Sequence, residues 1–178
     1  HSGGFATLRA MKFVASLLSL TLAVTALSGA PIQRIYLVHF SHTDFGFTDL
    51  QSVCRDLQVR YLDMAIDAVL ATANGPEERK FRWTAESTVA VADWWAAAPP
   101  ARREDFRRAL KTGQFEVAAM PFNQTPFLNA RQWQTMLHWL PEDLWKECQP
   151  TVAVQNDVNG LPRAGATALL DRGINHLF

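Results

Sequence analysis

An α/β architecture of alternating βα units around a parallel sheet is what these 178 residues lead one to expect. Short apolar, β-rich runs recur along the chain, segments of helical periodicity separate them, and Gly or Pro stands at most of the joints. Apolar strands alternating with helices are the pattern of a parallel sheet covered on both faces. Composition agrees: 48% hydrophobic residues supply a core for one globular domain, and 17 basic against 17 acidic side chains leave no net charge. Without clustered Lys and Arg, nucleic acid is not an expected partner, because phosphate binding needs concentrated positive charge. Six Trp and eleven Phe are many for this length. Most belong to a core, and stacking on sugar rings is their common second use.

Residues 1–10 precede Met11 and are set aside as upstream sequence. "MKFVASLLSLTLAVTALSGA" (11–30) has a positive start, an apolar stretch from Phe13 to Val24 and a small-residue end. That is the pattern of a secretory signal peptide, too short and too lightly flanked for a stable membrane span. Cleavage is expected near 26–30, with Ala26 the better fit because cutting after Ala30 leaves Pro31 in an awkward place. The protein is thus expected outside the cytoplasm, secreted or periplasmic, with 31–178 as its folded part.

Within 31–178, "IQRIYLVHF" (32–40) reads as the first strand. A helix over 51–73 follows, with Leu62, Ala65, Ile66, Val69 and Leu70 at helical spacing and Gly75-Pro76 as its stop. "KFRWTAE" (80–86) is the second strand. "STVAVADWWAAA" is a helix ended by Pro99-Pro100, and "ARREDFRRALKTG" is another, closed by Gly113. "QFEVAAM" (114–120) is the third strand. Residues 130–148 are helical with a break at Pro141, a residue suited to a first helical turn. "TVAVQN" (151–156) is the fourth strand, "PRAGATALLDRG" (162–173) the next helix, and "INHLF" begins a fifth strand. A strand met at the last residues leads one to expect the front part of a larger domain.

Export would permit a disulfide between Cys54 and Cys148, the two cysteines. Two separate buried thiols are the favoured expectation, since neither has neighbours at metal-ligand spacing or a CxxC partner. The sequon Asn123-Gln124-Thr125 is followed by Pro126, which argues against glycosylation.

In parallel α/β folds the carboxyl ends of the strands carry the site. His42 and Asp44 follow the first strand, Glu86 the second, Asn123 the third and Asp157 the fourth. Residues two apart in an extended segment point the same way, so His42 and Asp44 can reach one cation. An imidazole with two carboxylates suits zinc, which accepts mixed N and O donors and keeps a position open in catalytic sites. Each residue also has a plainer reading. His42 and Asp44 could sit in a solvated loop, Asp157 could be turn chemistry with Gly160, and Glu86 could simply favour a helix N-terminus.

"HFSHTDFGF", "FRWTAES", "LKTGQFEVAAMPFN" and "VQNDVNG" together resemble, in order, the landmarks of glycoside hydrolase family 38 α-mannosidases, from about residue 34 onward. The resemblance implies the front part of an incomplete (β/α)7-type barrel with zinc at its strand ends. It implies that His42 and Asp44 are zinc ligands, and that Asp157 both binds zinc and attacks the anomeric carbon. It puts Phe47 where the family usually stacks a tryptophan beneath the sugar, with Glu86 and Asn123 near the pocket. The substrate implied is an α-mannoside or related glycan, cleaved with retention of configuration. The sequence departs from the family pattern at Phe40, Thr43, Phe45 and Phe47, which stand for His, Asn, Pro and Trp. The family's remaining zinc histidine and acid/base aspartate would fall beyond Phe178, so the isolated polypeptide is expected to be inactive.

Two other readings compete. A metal-dependent polysaccharide deacetylase-like barrel also uses Asp and His at strand ends, but neither an adjacent Asp pair after a strand nor a His-x-x-x-His helix motif occurs. A non-catalytic carbohydrate-binding protein on the same scaffold would bind glycan without turnover.

Overall fold

The computed structural model describes residues 32–45, 48–123 and 127–178. The leader-like segment 11–30, Phe47 and most of the Asn123 sequon lie outside the described residues. The chain divides into two units, 1–37 and 38–178. In the first, residues 32–37 are extended and exposed, and the Arg34 guanidinium lies over the Tyr36 ring at 5.7 Å.

The second unit alternates helices with short strands. Helix α1 (Gln51–Thr72) leads to β1 (Trp83–Ala85), then to α2 (Thr88–Ala97), α3 (Pro100–Lys111) and β2 (Phe115–Val117). Helices α4 (Ala130–Leu137) and α5 (Glu142–Cys148) follow, then β3 (Val152–Ala153), α6 (Arg163–Asp171) and β4 (His176–Leu177). Strands β1 and β2 pair in parallel, as do β3 and β4. Single bonds extend the order on either side: Thr84 N–H donates to His39 O at 2.9 Å, and Ala119 N–H to Val152 O at 2.9 Å.

The expected strand over 32–40 forms no ladder among the described residues. Backbone geometry explains this. Trp83 N–H bonds Gln114 O, and Ala85 O accepts from Ala118 N–H, so both residues spend their polar groups on the β2 side. Successive residues of a strand face alternate neighbours. In a three-residue β1, only Thr84 faces the other way, and one hydrogen bond holds the His39 segment there. The His39 ring also stacks on Phe81, with centroids 6.0 Å apart.

Helix ends follow local chemistry. Ser87 caps α2 by accepting from Ala90 N–H. Pro100 opens α3, where a missing N–H costs nothing, and Gly113 at φ +67° closes it. Asn129 and Gln132 form a capping box on α4.

One buried cluster joins these elements. The apolar face of α1 (Leu62, Ala65, Ile66, Val69) meets Trp94, Phe106 and Phe115. Phe106 packs against Trp94 at 5.4 Å and edge-on to Phe115 at 5.5 Å. Farther along the chain, Trp133, Leu137, Leu144, Ala168 and Leu169 join the same cluster. Gly165 lets α6 approach closely: a Cβ there would lie 3.0 Å from the Trp133 ring and 2.9 Å from Leu161. Cys54 and Cys148 are separate buried thiols. No helix among the described residues is long and apolar enough to cross a membrane.

Candidate metal centre

Four chain segments converge at the carboxyl ends of the strands. His42 and Asp44 stand in the extended stretch beside β1, Glu86 directly follows β1, and Asp157 lies four residues past β3. Asn123 comes from the segment after β2. That segment is held against the start of α2, where Thr88 N–H donates to Met120 O at 2.9 Å and Ser87 Oγ–H donates to Pro121 O.

Glu86 is buried beneath the site. Its carboxylate accepts from His42 Nδ1–H at 2.9 Å (Oε1) and 3.2 Å (Oε2), and from Asn123 Nδ2–H at 2.8 Å. Asn123 Oδ1 in turn accepts from Asn156 N–H at 2.8 Å, beside Asp157. The network therefore ties the ends of four segments into one unit. With Nδ1 bonded to a carboxylate, the proton of a neutral His42 sits there, and the Nε2 lone pair faces away from Glu86.

That lone pair faces two acids. His42 Nε2 lies 3.7 Å from Asp44 Oδ1 and 3.7 Å from Asp157 Oδ2. One ligand atom from each of the three residues lies within 4.8 Å of the others, the one such group among the described residues. Donors bound at roughly 2.0–2.1 Å to a tetrahedral ion stand about 3.3–3.4 Å apart. The two His42 separations, 3.7 Å each, close to that with shifts of a few tenths of an ångström, and the two carboxylates lie within 4.8 Å of each other. The donor chemistry fits as well: two carboxylates converge on one neutral nitrogen with a carboxylate behind the imidazole, the arrangement that orients metal-bound histidines. Burial pulls the His42 pKa down, but the Glu86 hydrogen bond and the charges of Glu86, Asp44 and Asp157 outweigh it and hold the imidazole above its usual 6.5. A proton and a cation thus compete for the same nitrogen.

The loop carries two further restraints. Cys54 Sγ–H donates to Asp44 O at 3.2 Å, and Ser41 Oγ–H donates to Gln58 Oε1 at 3.2 Å. Asp157 adopts φ +56°, a left-handed conformation that Asp tolerates better than most residues. Its side chain is 71% exposed, so it remains open to a ligand. Its backbone conformation is a cost the surrounding fold sustains at this position.

The structure thus brings together His42, Asp44, Glu86, Asn123 and Asp157, while Phe47 lies outside the described residues. The plainer reading of Glu86 as a helix-terminal charge gives way to that of a buried partner of His42. Its two bound donors also fit an orienting carboxylate better than a free proton donor. Sequence reasoning missed Asn156, whose contribution is a backbone N–H and so leaves no side-chain signal. It also passed over Phe122 and Trp139, which line a cleft of about 420 Å³ together with His42, Asp44, Glu86 and Asn123.

No curated protein matches the chain. Residues 33–178, which carry every element and side chain of this centre, match the glycosyl hydrolases family 38 N-terminal domain, and the chain belongs to that family.

Proposed function

We propose that this chain forms the metal-binding side of a zinc-dependent, retaining α-mannosidase-type active site in an exported enzyme. Family membership makes it a glycoside hydrolase domain acting on carbohydrate. The zinc, the retaining route, the mannose preference and the export are the added claims. One observation carries the reading: the convergence of His42, Asp44 and Asp157 at the strand ends. The leader-like segment 11–30 supports export. The side-by-side order of the His39 segment, β1, β2, β3 and β4 supports reading the sheet as part of an incomplete barrel wall.

His42, Asp44 and Asp157 would hold the ion, which supplies a grip on sugar hydroxyls and favours the flattened, oxocarbenium-like ring. The protein's own groups do the rest. Asp157 attacks the anomeric carbon: an Oδ–C1 bond forms, the bond from C1 to the leaving oxygen breaks, and the electron pair departs with that oxygen. Water then adds to C1 from the opposite face as the Oδ–C1 bond breaks and the Asp157 carboxylate is regenerated. The proton that water loses balances the one the departed oxygen takes up, and two inversions give net retention. Glu86 keeps His42 in one tautomer, and Asn123 ties Glu86 to the backbone beside the nucleophile.

An activated mannosyl fluoride tests this on the chain itself, because fluoride leaves without a proton donor. A ring fluorine that slows the second step should trap one glycosyl group on Asp157, read by mass spectrometry of the zinc-loaded protein. Asp157→Asn should carry none. A wild-type chain that binds zinc yet gains no adduct, or gains one elsewhere, would contradict Asp157 as nucleophile.

A further inference from the structure

We propose, building on the reading above, that the cleft holds a second sugar and that Trp139 is the platform on which it stacks. Of the six tryptophans, five are buried or half-buried, and Trp139 alone is exposed, at 52%. Its position is nonetheless fixed. It sits in the short connection between α4 and α5, where His138 N–H bonds Thr135 O and Trp139 N–H bonds Met136 O. The next residue, Leu140, is buried in the core and anchors the loop. The Trp139 ring meets the Phe122 ring edge-on, 6.2 Å between centroids at 66°. Phe122 directly precedes Asn123, so this aromatic wall is one residue from the network beneath the metal centre. A rigid, exposed indole in a cleft costs little entropy on binding and offers a flat apolar face, which is what the C–H face of a pyranose requires.

Polar chemistry in the cleft points to a neutral ligand. Arg55 lines it, but its guanidinium is held in a two-pronged pair by Asp93. Among the described residues, the other ionisable groups lining it are His42 of the metal centre and the carboxylates of Asp44 and Glu86. Away from the metal centre, a uronate, sulfate or phosphate would meet, among the described residues, only a guanidinium already paired by Asp93. Gln58 also lines the cleft and is itself buried. Its Oε1 accepts from Ser41, and among the described residues no hydrogen bond engages its Nε2, leaving an amide donor for a sugar hydroxyl. The ligand is therefore an oligosaccharide of at least two neutral pyranoses, one at the metal centre and its neighbour on Trp139.

The test compares binding of an α-linked mannobiose and of methyl α-mannoside by calorimetry on the zinc-loaded full chain. Trp139→Ala should weaken the disaccharide by roughly tenfold, about the loss of one stacked ring, with the monosaccharide affinity and the zinc content kept. Trp139→Phe should recover most of the loss, and the ligand-induced change in tryptophan fluorescence should vanish in both variants. Equal disaccharide affinity in wild type and Trp139→Ala, while His42→Ala abolishes sugar binding, would overturn the platform and leave the metal centre standing. Sugar binding unchanged by His42→Ala, or none by the wild type, would overturn the metal-centre reading and the platform with it.

Discussion

At the scale of single residues, Glu86 is the side chain that turns a His-x-Asp motif into a site. It accepts the Nδ1–H hydrogen bond and leaves Nε2 to face Asp44 and Asp157. Glu86→Gln keeps the shape but replaces a charged acceptor with a neutral one. Loss of such outer partners lowers metal affinity by about 10–100-fold, and zinc titration with a competing chelator should find a drop in that range with folding intact. An affinity equal to wild type would show that His42 needs no carboxylate behind it. Cys148 offers a separate check. Burial, with a smaller part from the charge of Glu147, pushes its thiol up to about 12. The thiol should therefore resist alkylation at pH 8 in the native protein and react once denaturant is added. Its raised pKa also fixes the sign of a pH effect. The unfolded thiol ionises from about pH 9, whereas the folded one waits until about 12. Stability must then fall as pH rises through that interval, less steeply in Cys148→Ala; identical slopes would contradict the shift.

Secondary elements show how packing and pattern share the work. Gly165 sits in α6, where alanine would favour the helix by about 1 kcal/mol. Against this, a Cβ would press within 3.0 Å of the buried Trp133 ring, and overpacking costs about 1–3 kcal/mol. The balance predicts that Gly165→Ala destabilises the fold by about 1 kcal/mol in denaturant melts; a stabilised variant would mean that Trp133 moves freely. The helices were legible because their evidence is local. Leu62, Ala65, Ile66 and Val69 mark the buried side of α1, and Pro100 and Gly113 bracket α3 within a residue or two. Strands were legible in place but not in length. "TVAVQN" reads as six extended residues, yet the strand proper is Val152–Ala153, with Gln155 N–H adding one bond to Phe178 O, because a ladder depends on a partner that sequence does not show. The same reason removes the strand over 32–40: an apolar run is necessary for a buried strand, and a second edge to bond it is also required.

For the whole molecule, the alternation of strand and helix carries most of the functional information. It places His42, Glu86, Asn123 and Asp157 after successive extended segments, and a parallel arrangement then sends all four to one end. That convergence was legible because it follows from order alone. The Asn156–Asn123–Glu86–His42 chain was not, because it depends on a backbone N–H and on rotamers. The resemblance to family 38 implied the ligands, and the network gives a physical reason for the tautomer that metal binding would require.

Zinc content of the purified chain, measured by mass spectrometry after dialysis against a weak chelator, tests the account most directly. The expected result is one zinc per wild-type chain and a loss of at least most of it in His42→Ala, Asp44→Ala and Asp157→Ala, each still folded. A folded wild-type chain that retains no zinc, or retains it equally in all three variants, would contradict the metal centre and the mechanism built on it.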